Sequence, residues 1–138
     1  MALPKKPRVV VYGLWPGLEE YARQKLRAWP HAIFSAQVSL KNLDPRAEVL
    51  VVFIESPVTK DIIAKLPKLK FIATMSTGFD HIDIAAAKKR AVPVSNVPTY
   101  GENTVAEHAF ALILWLTRKL FESVKRVKEG VYDFHGLR

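Results

Sequence analysis

The chain has 138 residues, 49% of them hydrophobic, which is typical of one compact domain with an apolar core and excludes a disordered tail. Lysine and arginine number 21 against 13 acidic residues, so the formal net charge is +8. A charge of this size is compatible with binding to a nucleic acid, with binding to an anionic ligand, or with only a solvated surface. Cysteine is absent, which excludes disulfides, thiolate catalysis and cysteine-based zinc sites.

The N-terminal region predicts neither a secretion signal nor a membrane anchor. Tyr12, Gly13 and Pro16 interrupt the sequence before an apolar signal segment develops. The longest apolar run, residues 109–116, has eight residues, far fewer than the about 20 that span a bilayer. We therefore expect a cytoplasmic protein without a membrane partner.

Five short segments rich in β-branched and aromatic residues predict strands at residues 8–12, 31–34, 49–54, 69–74 and 92–95. The third is apolar on both faces, which is typical of a central parallel strand covered on both sides. Helical spacing between the strands predicts an α/β fold, with helices on both faces of a doubly wound parallel sheet. The usual strand order for five strands, 2-1-3-4-5, is expected.

Capping residues predict where the connecting helices begin and end. Pro30 closes the first helix, and Ser56 followed by Pro57 is typical of an N-cap and the first position of the second. Asp83 is expected to cap a third helix at residues 84–90. The second helix should bury a stripe of three apolar residues, Ile62, Ile63 and Leu66.

The C-terminal part predicts one long helix over residues 104–128, because no helix breaker interrupts it. Its first half is apolar nearly all round, and a helix of that kind needs to be buried on every side. One small domain covers a single side of such a helix. We therefore expect a homo-oligomer built through the helix 104–128.

The loops at the carboxyl ends of the strands are where a doubly wound sheet binds ligands. Residues 13–17 (GLWPG) match neither G-x-G-x-x-G nor a P-loop, which disfavours a nucleotide site there. Residues 75–83 (MSTGFDHID) place small residues before a helix, where Gly78 lets backbone approach a ligand and free N–H groups can hold an anion. An ordinary turn with aspartate caps explains the same residues.

A metal site at Asp80, His81, Glu107 and His108 is disfavoured, because their spacing matches no metal motif. His81 reads as a surface or loop residue. A nucleic-acid interface is also disfavoured, since the basic residues are scattered and no aromatic-basic motif accompanies them.

Four segments resemble the D-isomer-specific 2-hydroxyacid dehydrogenases, and within them the D-lactate dehydrogenase subgroup. They are residues 66–74 (LPKLKFIAT), 77–83 (TGFDHID), 94–100 (VSNVPTY) and 104–109 (TVAEHA). The resemblance runs from about Val49 to Leu120 and implies a flavodoxin-like substrate-binding domain at residues 1–101. Residues 102–138 would then hold the crossover helix and tail that lead toward a Rossmann NAD-binding domain beyond Arg138.

The resemblance also implies roles for individual residues. Ser76, Thr77 and Gly78 match the loop whose N–H groups hold the substrate carboxylate, and Glu55 and Ser56 match the loop that frames the substrate side chain. Residues bordering the nicotinamide of NAD, or of NADP, would be Tyr100, Thr104 and Val105.

The implied reaction is hydride transfer between the nicotinamide and a small D-2-hydroxy or 2-oxo acid. No histidine of the chain stands in the motif of the family's acid–base residue, so we expect no catalytic residue here and no activity from the 138-residue chain alone. A non-catalytic flavodoxin-like module that binds a small anion or a partner is the alternative.

Overall fold

A computed structural model describes residues 6–34 and 36–137, and the chain divides after Pro98 into two compact units. The described part of the first unit contains five strands and three helices in alternation. In chain order these are β1 (Val9–Tyr12), α1 (Glu19–Leu26), β2 (His31–Phe34), β3 (Val49–Val52), α2 (Lys60–Ala64), β4 (Phe71–Thr74), α3 (Ile84–Lys89) and β5 (Val94–Ser95).

The five strands form one parallel sheet in the order β2-β1-β3-β4-β5, which confirms the predicted topology. Strand β1 pairs with both β2 and β3, so that Val10 lies beside Ala32 on one side and Leu50 on the other. Strand β3 is central, as its apolar sequence predicts, and pairs onward with β4. The carboxyl ends of the strands therefore lie along one edge of the sheet.

Alternate residues of the strands point to opposite faces of the sheet and form two buried apolar layers, one on each face. The larger layer packs the sheet against α2 and α3, with the stripe Ile62, Ile63 and Leu66 buried as predicted. Its strand residues are Val10, Tyr12, Leu50, Val52 and Ile72. The smaller layer joins Val9 and Val11 to the partly buried Ala22 and Leu26 of α1. Helices therefore cover both faces, as predicted.

The predicted N-cap of the third helix is confirmed, and the predicted N-cap of the second helix is wrong. Asp83 accepts a hydrogen bond from the Ala86 N–H at 2.8 Å and caps α3. Helix α2 begins after Thr59, whose side chain accepts from the Ile62 N–H, and not after Ser56. Threonine is itself a good cap, and Ser56 is fully buried with its hydroxyl accepting from the Val38 N–H instead.

The second unit contains α4 (Glu102–Thr117) and α5 (Leu120–Lys128). The single helix predicted over residues 104–128 is therefore wrong: it ends at Thr117, and Lys119 takes the left-handed conformation at φ 48° before α5 begins. No residue of either helix is buried. No helix within the described ranges has the length and apolar character to cross a membrane.

Ala91 is expected to limit the stability of the first unit, because it follows α3 in the left-handed conformation at φ 53°. Ala91→Gly should raise the free energy of unfolding by about 0.5–1 kcal/mol, since glycine adopts this conformation without steric strain. Ala85→Gly, inside the same helix and exposed, should lower it by about 0.5–1 kcal/mol. Urea unfolding of both variants checks the prediction, which fails if the two changes have the same sign.

Candidate functional site

The loop after β4 has its carbonyl groups tied to one neighbouring segment. The Ser76 carbonyl accepts a hydrogen bond from the Val97 N–H at 3.0 Å, and the Thr77 carbonyl accepts from the Asn96 side-chain amide at 2.7 Å. In a trans peptide the N–H points opposite to the carbonyl. The N–H groups of Thr77 and Gly78 therefore both point away from the segment that anchors them.

These two N–H groups are available to a ligand. Within the described residues, neither the Thr77 N–H nor the Gly78 N–H donates to a protein acceptor. Both residues are exposed, and both lie just beyond the end of β4, at the carboxyl edge of the sheet. Neighbouring backbone donors that face the same way suit an anion, above all a planar carboxylate.

The Ser76 side chain is buried below this loop and holds its shape. Its hydroxyl donates to the Gly78 carbonyl at 2.8 Å and lies 2.6 Å from the Thr74 hydroxyl. The Thr74 hydroxyl lies 3.1 Å from Nε2 of His81. His81 is half-buried rather than on the surface, and burial lowers its pKa against the smaller opposing effect of the Asp80 carboxylate.

Gly78 is not in the left-handed region, so a side chain there would not strain the backbone. A Cβ atom at this position would lie 3.1 Å from Oδ1 of Asp80, the end of a flexible side chain. Glycine at this position therefore keeps the space over the loop open, and it is not needed for its backbone conformation.

The two residues predicted in the loop after β3 differ sharply in accessibility. Glu55 is exposed at the carboxyl edge. Ser56 is fully buried, and its hydroxyl accepts a hydrogen bond from the Val38 N–H at 3.3 Å. The Ser56 side chain therefore braces the protein interior and does not line an open surface.

An apolar pocket of about 110 Å³ lies at the same edge, where residues directly following β1, β3 and β4 meet. Its lining consists of Gly13, Leu14, Trp15, Leu18, Phe53 and Met75. The rings of Trp15 and Phe53 pack edge to face with their centroids 5.3 Å apart, and Met75 directly precedes Ser76 in the loop after β4. Sequence reasoning missed this pocket because its residues come from three separate loops.

The residues predicted to border a nicotinamide lie in the second unit. Tyr100 precedes α4, while Thr104 and Val105 lie in its first turn, and all three side chains are exposed. Among the described residues, no group of three or more histidine and acidic side chains is placed to hold a metal ion.

Known proteins are similar to this chain in sequence and in fold. The model of the D-isomer specific 2-hydroxyacid dehydrogenase catalytic domain matches residues 16–131. A glyoxylate reductase of Thermofilum pendens is 34% identical over 105 residues, 76% of this chain and 30% of its own. A D-3-phosphoglycerate dehydrogenase of Mycobacterium leprae is 39% identical over 88 residues, 64% of this chain and 17% of its own.

Among solved structures, the D-lactate dehydrogenase of Aquifex aeolicus, complexed with NAD and lactic acid, superimposes with a TM-score of 0.80 at 30% identity. That match covers 91% of this chain and 38% of the enzyme's chain. This chain thus spans well under half the length of the proteins it resembles. The family match covers most of its residues, and the chain belongs to the D-isomer specific 2-hydroxyacid dehydrogenase family, as a catalytic domain.

Proposed function

We propose that this chain is the substrate-binding part of an NAD-dependent oxidoreductase that interconverts a small D-2-hydroxy acid and its 2-oxo acid. The observation that carries the proposal is the anchored loop after β4, with the N–H groups of Thr77 and Gly78 free to donate. These donors hold the substrate carboxylate without a charged side chain. Fixing the carboxylate orients C2 for hydride transfer, which is a large part of what an enzyme gains from positioning.

The apolar pocket beside the loop takes the substrate side chain in this proposal. Its volume of about 110 Å³ suits a substituent of a few carbon atoms. Two of the relatives are named for small substrates, glyoxylate for one and lactate for the other. Glu55, exposed at the same edge, lies outside the pocket lining and disfavours an acidic substrate side chain near it.

NAD would supply or accept the hydride, with NADP as the variant that the proposal leaves open. The residues of this chain fit a boundary role toward it: Tyr100, Thr104 and Val105 are exposed around the start of α4 and offer ring, hydroxyl and methyl surfaces. Because no histidine here stands in the family's acid–base motif, the purified 138-residue chain should show no NADH-dependent reduction of any 2-oxo acid.

The binding proposal is tested with oxamate, which has the shape and carboxylate of a small 2-oxo acid, beside oxamide, which has no charge. Calorimetric titration of the 138-residue chain should give a dissociation constant at least about tenfold lower for oxamate, because only oxamate offers a carboxylate to the loop. Equal binding of the two compounds, or none, would contradict the proposed function.

Gly78→Val should weaken oxamate binding about tenfold or more, because the added side chain occupies the space over the donors. The backbone is not strained by the change, so the unfolding midpoint should move little. Gly101→Val is the matched control, since a Cβ atom there meets nothing within 4 Å. Unchanged oxamate affinity in Gly78→Val would remove this residue from the site.

We further propose that the second unit joins two copies of the chain. Helix α4 exposes apolar side chains nearly all round, including Phe110, Trp115 and Leu116, and α5 exposes an apolar face that includes Phe121. Large contiguous apolar patches on a protein surface mark contact sites with other molecules. Sedimentation at tens of micromolar should give a dimer or larger assembly, and the double variant Leu114→Lys, Trp115→Glu should shift it toward monomer. A monomeric wild-type chain would contradict this.

A further inference from the structure

The hydrogen bonds below the loop after β4 have a defined direction. The Gly78 carbonyl only accepts, so the single hydroxyl proton of Ser76 is used in donating to it. The Thr74 hydroxyl, 2.6 Å from that of Ser76, must therefore donate to Ser76. Its own proton being used, Thr74 accepts from His81, whose Nε2 lies 3.1 Å away. The chain of donors thus starts at the imidazole and ends at a loop carbonyl.

The carbonyl at the end of this chain belongs to the peptide that joins Gly78 to Phe79. Holding the carbonyl toward Ser76 points the Phe79 N–H in the opposite direction. Within the described residues, this N–H donates to no protein acceptor, as is also true of the two N–H groups before it. The hydroxyl chain therefore sets the orientation of a third free donor in the loop.

We propose that His81 is a positioning residue for substrate binding: its Nε2–H, acting through Thr74 and Ser76, orients the Gly78–Phe79 peptide of the carboxylate-binding loop. This proposal rests on the proposed function and adds a residue to it. His81 does not touch the substrate and is not its acid–base group, since its proton is engaged with Thr74. A proton on Nδ1 alone would reverse the bond to Thr74 and leave one hydroxyl proton for two contacts, that between Thr74 and Ser76 and that between Ser76 and the Gly78 carbonyl. The chain of donors from the imidazole to the loop would then be broken.

The first test reads the proton position directly. In ¹⁵N spectra of the histidine-labelled 138-residue chain at pH 7.5, the imidazole signals lost in His81→Gln are those of His81. They should show a protonated Nε2 and an unprotonated Nδ1. A neutral ring protonated on Nδ1 would overturn the proposal and leave the proposed function standing, because oxamate binding by the wild-type chain is measured separately.

The second test measures oxamate affinity in variants that remove or preserve the donor. His81→Leu should weaken binding about tenfold, while His81→Gln, which still carries an N–H at similar reach, should stay within about threefold of wild type. Thr74→Val should resemble His81→Leu, and Thr74→Ser should resemble wild type. His108→Leu, on exposed α4, is the control.

Backbone amide spectra of every variant show whether the sheet is intact, so that loss of folding is not mistaken for loss of positioning. If folded His81→Leu and Thr74→Val bind oxamate like wild type, the positioning role is wrong. Equal weakening by His81→Gln and His81→Leu, both folded, would also overturn it, because the donor would then not matter. A wild-type chain that fails to bind oxamate contradicts the proposed function, and the role of His81 with it.

Discussion

Gly13→Ala is expected to lower the free energy of unfolding by about 2–4 kcal/mol, measured by urea denaturation. Gly13 has φ +71°, a conformation that strains any other residue by about 1–3 kcal/mol. A Cβ atom there would also lie 2.8 Å from the hydroxyl oxygen of Ser56. Ser56 is fully buried and accepts from the Val38 N–H, so it has no free space into which to move.

Gly17→Ala is the matched control, four residues along the same loop. A Cβ atom at Gly17 meets nothing within 4 Å, and its φ is not in the left-handed region. Its stability should stay within about 0.5 kcal/mol of wild type. If Gly13→Ala and Gly17→Ala unfold at the same urea concentration, the fold tolerates a Cβ atom at position 13, and the expected backbone strain and clash with Ser56 are wrong.

Asp44→Asn is expected to lower the free energy of unfolding by about 2–3 kcal/mol at pH 7. The Asp44 carboxylate is buried and accepts from Nη2 of Arg8 at 2.7 Å and from Nε of Arg46 at 3.0 Å. The Arg46 and Arg8 guanidinium groups hold its pKa well below the usual range, against the opposing effect of burial. Asparagine removes the negative charge that pairs with both guanidinium groups and replaces one acceptor oxygen with an NH₂ donor.

The pH dependence of this difference follows from the depressed pKa of Asp44. A carboxylate whose pKa is lower in the folded chain contributes its full stabilisation above its unfolded pKa of about 3.9 and loses it as the pH falls further. The stability difference between wild type and Asp44→Asn should therefore be constant from pH 7 to about 5 and shrink below about pH 4. Glu20→Gln, an exposed carboxylate change, should alter stability by no more than about 0.5 kcal/mol. A difference that grows on acidification would contradict the account.

The sheet was predictable because its signals are local. Residues 49–52 are apolar on both faces, and that pattern places β3 at the centre of a parallel sheet, where it lies. The ends of the helices were less predictable. Thr59 competes with Ser56 as a cap, and nothing in the residue types around Lys119 signals a left-handed conformation. Such choices are made by packing, which periodicity does not report.

The site was predictable only where its residues are contiguous. Thr77 and Gly78 follow from small residues at the end of a strand and from the family resemblance. Their anchor, Asn96, comes from a loop 19 residues further along the chain and is recognisable only once β4 and β5 are paired. The burial of Ser56 has the same cause, because it depends on the approach of the loop at Gly13.

The central claim is that the backbone donors after β4 bind the carboxylate of a 2-oxo acid. The measurement that tests it most directly is titration of the ¹⁵N-labelled 138-residue chain with oxamate, following every backbone amide signal. The largest shifts should fall on the N–H groups of Thr77 and Gly78, should saturate along one binding curve, and should be absent with oxamide. Oxamate shifts that centre elsewhere, with these two amides unmoved, would contradict the account.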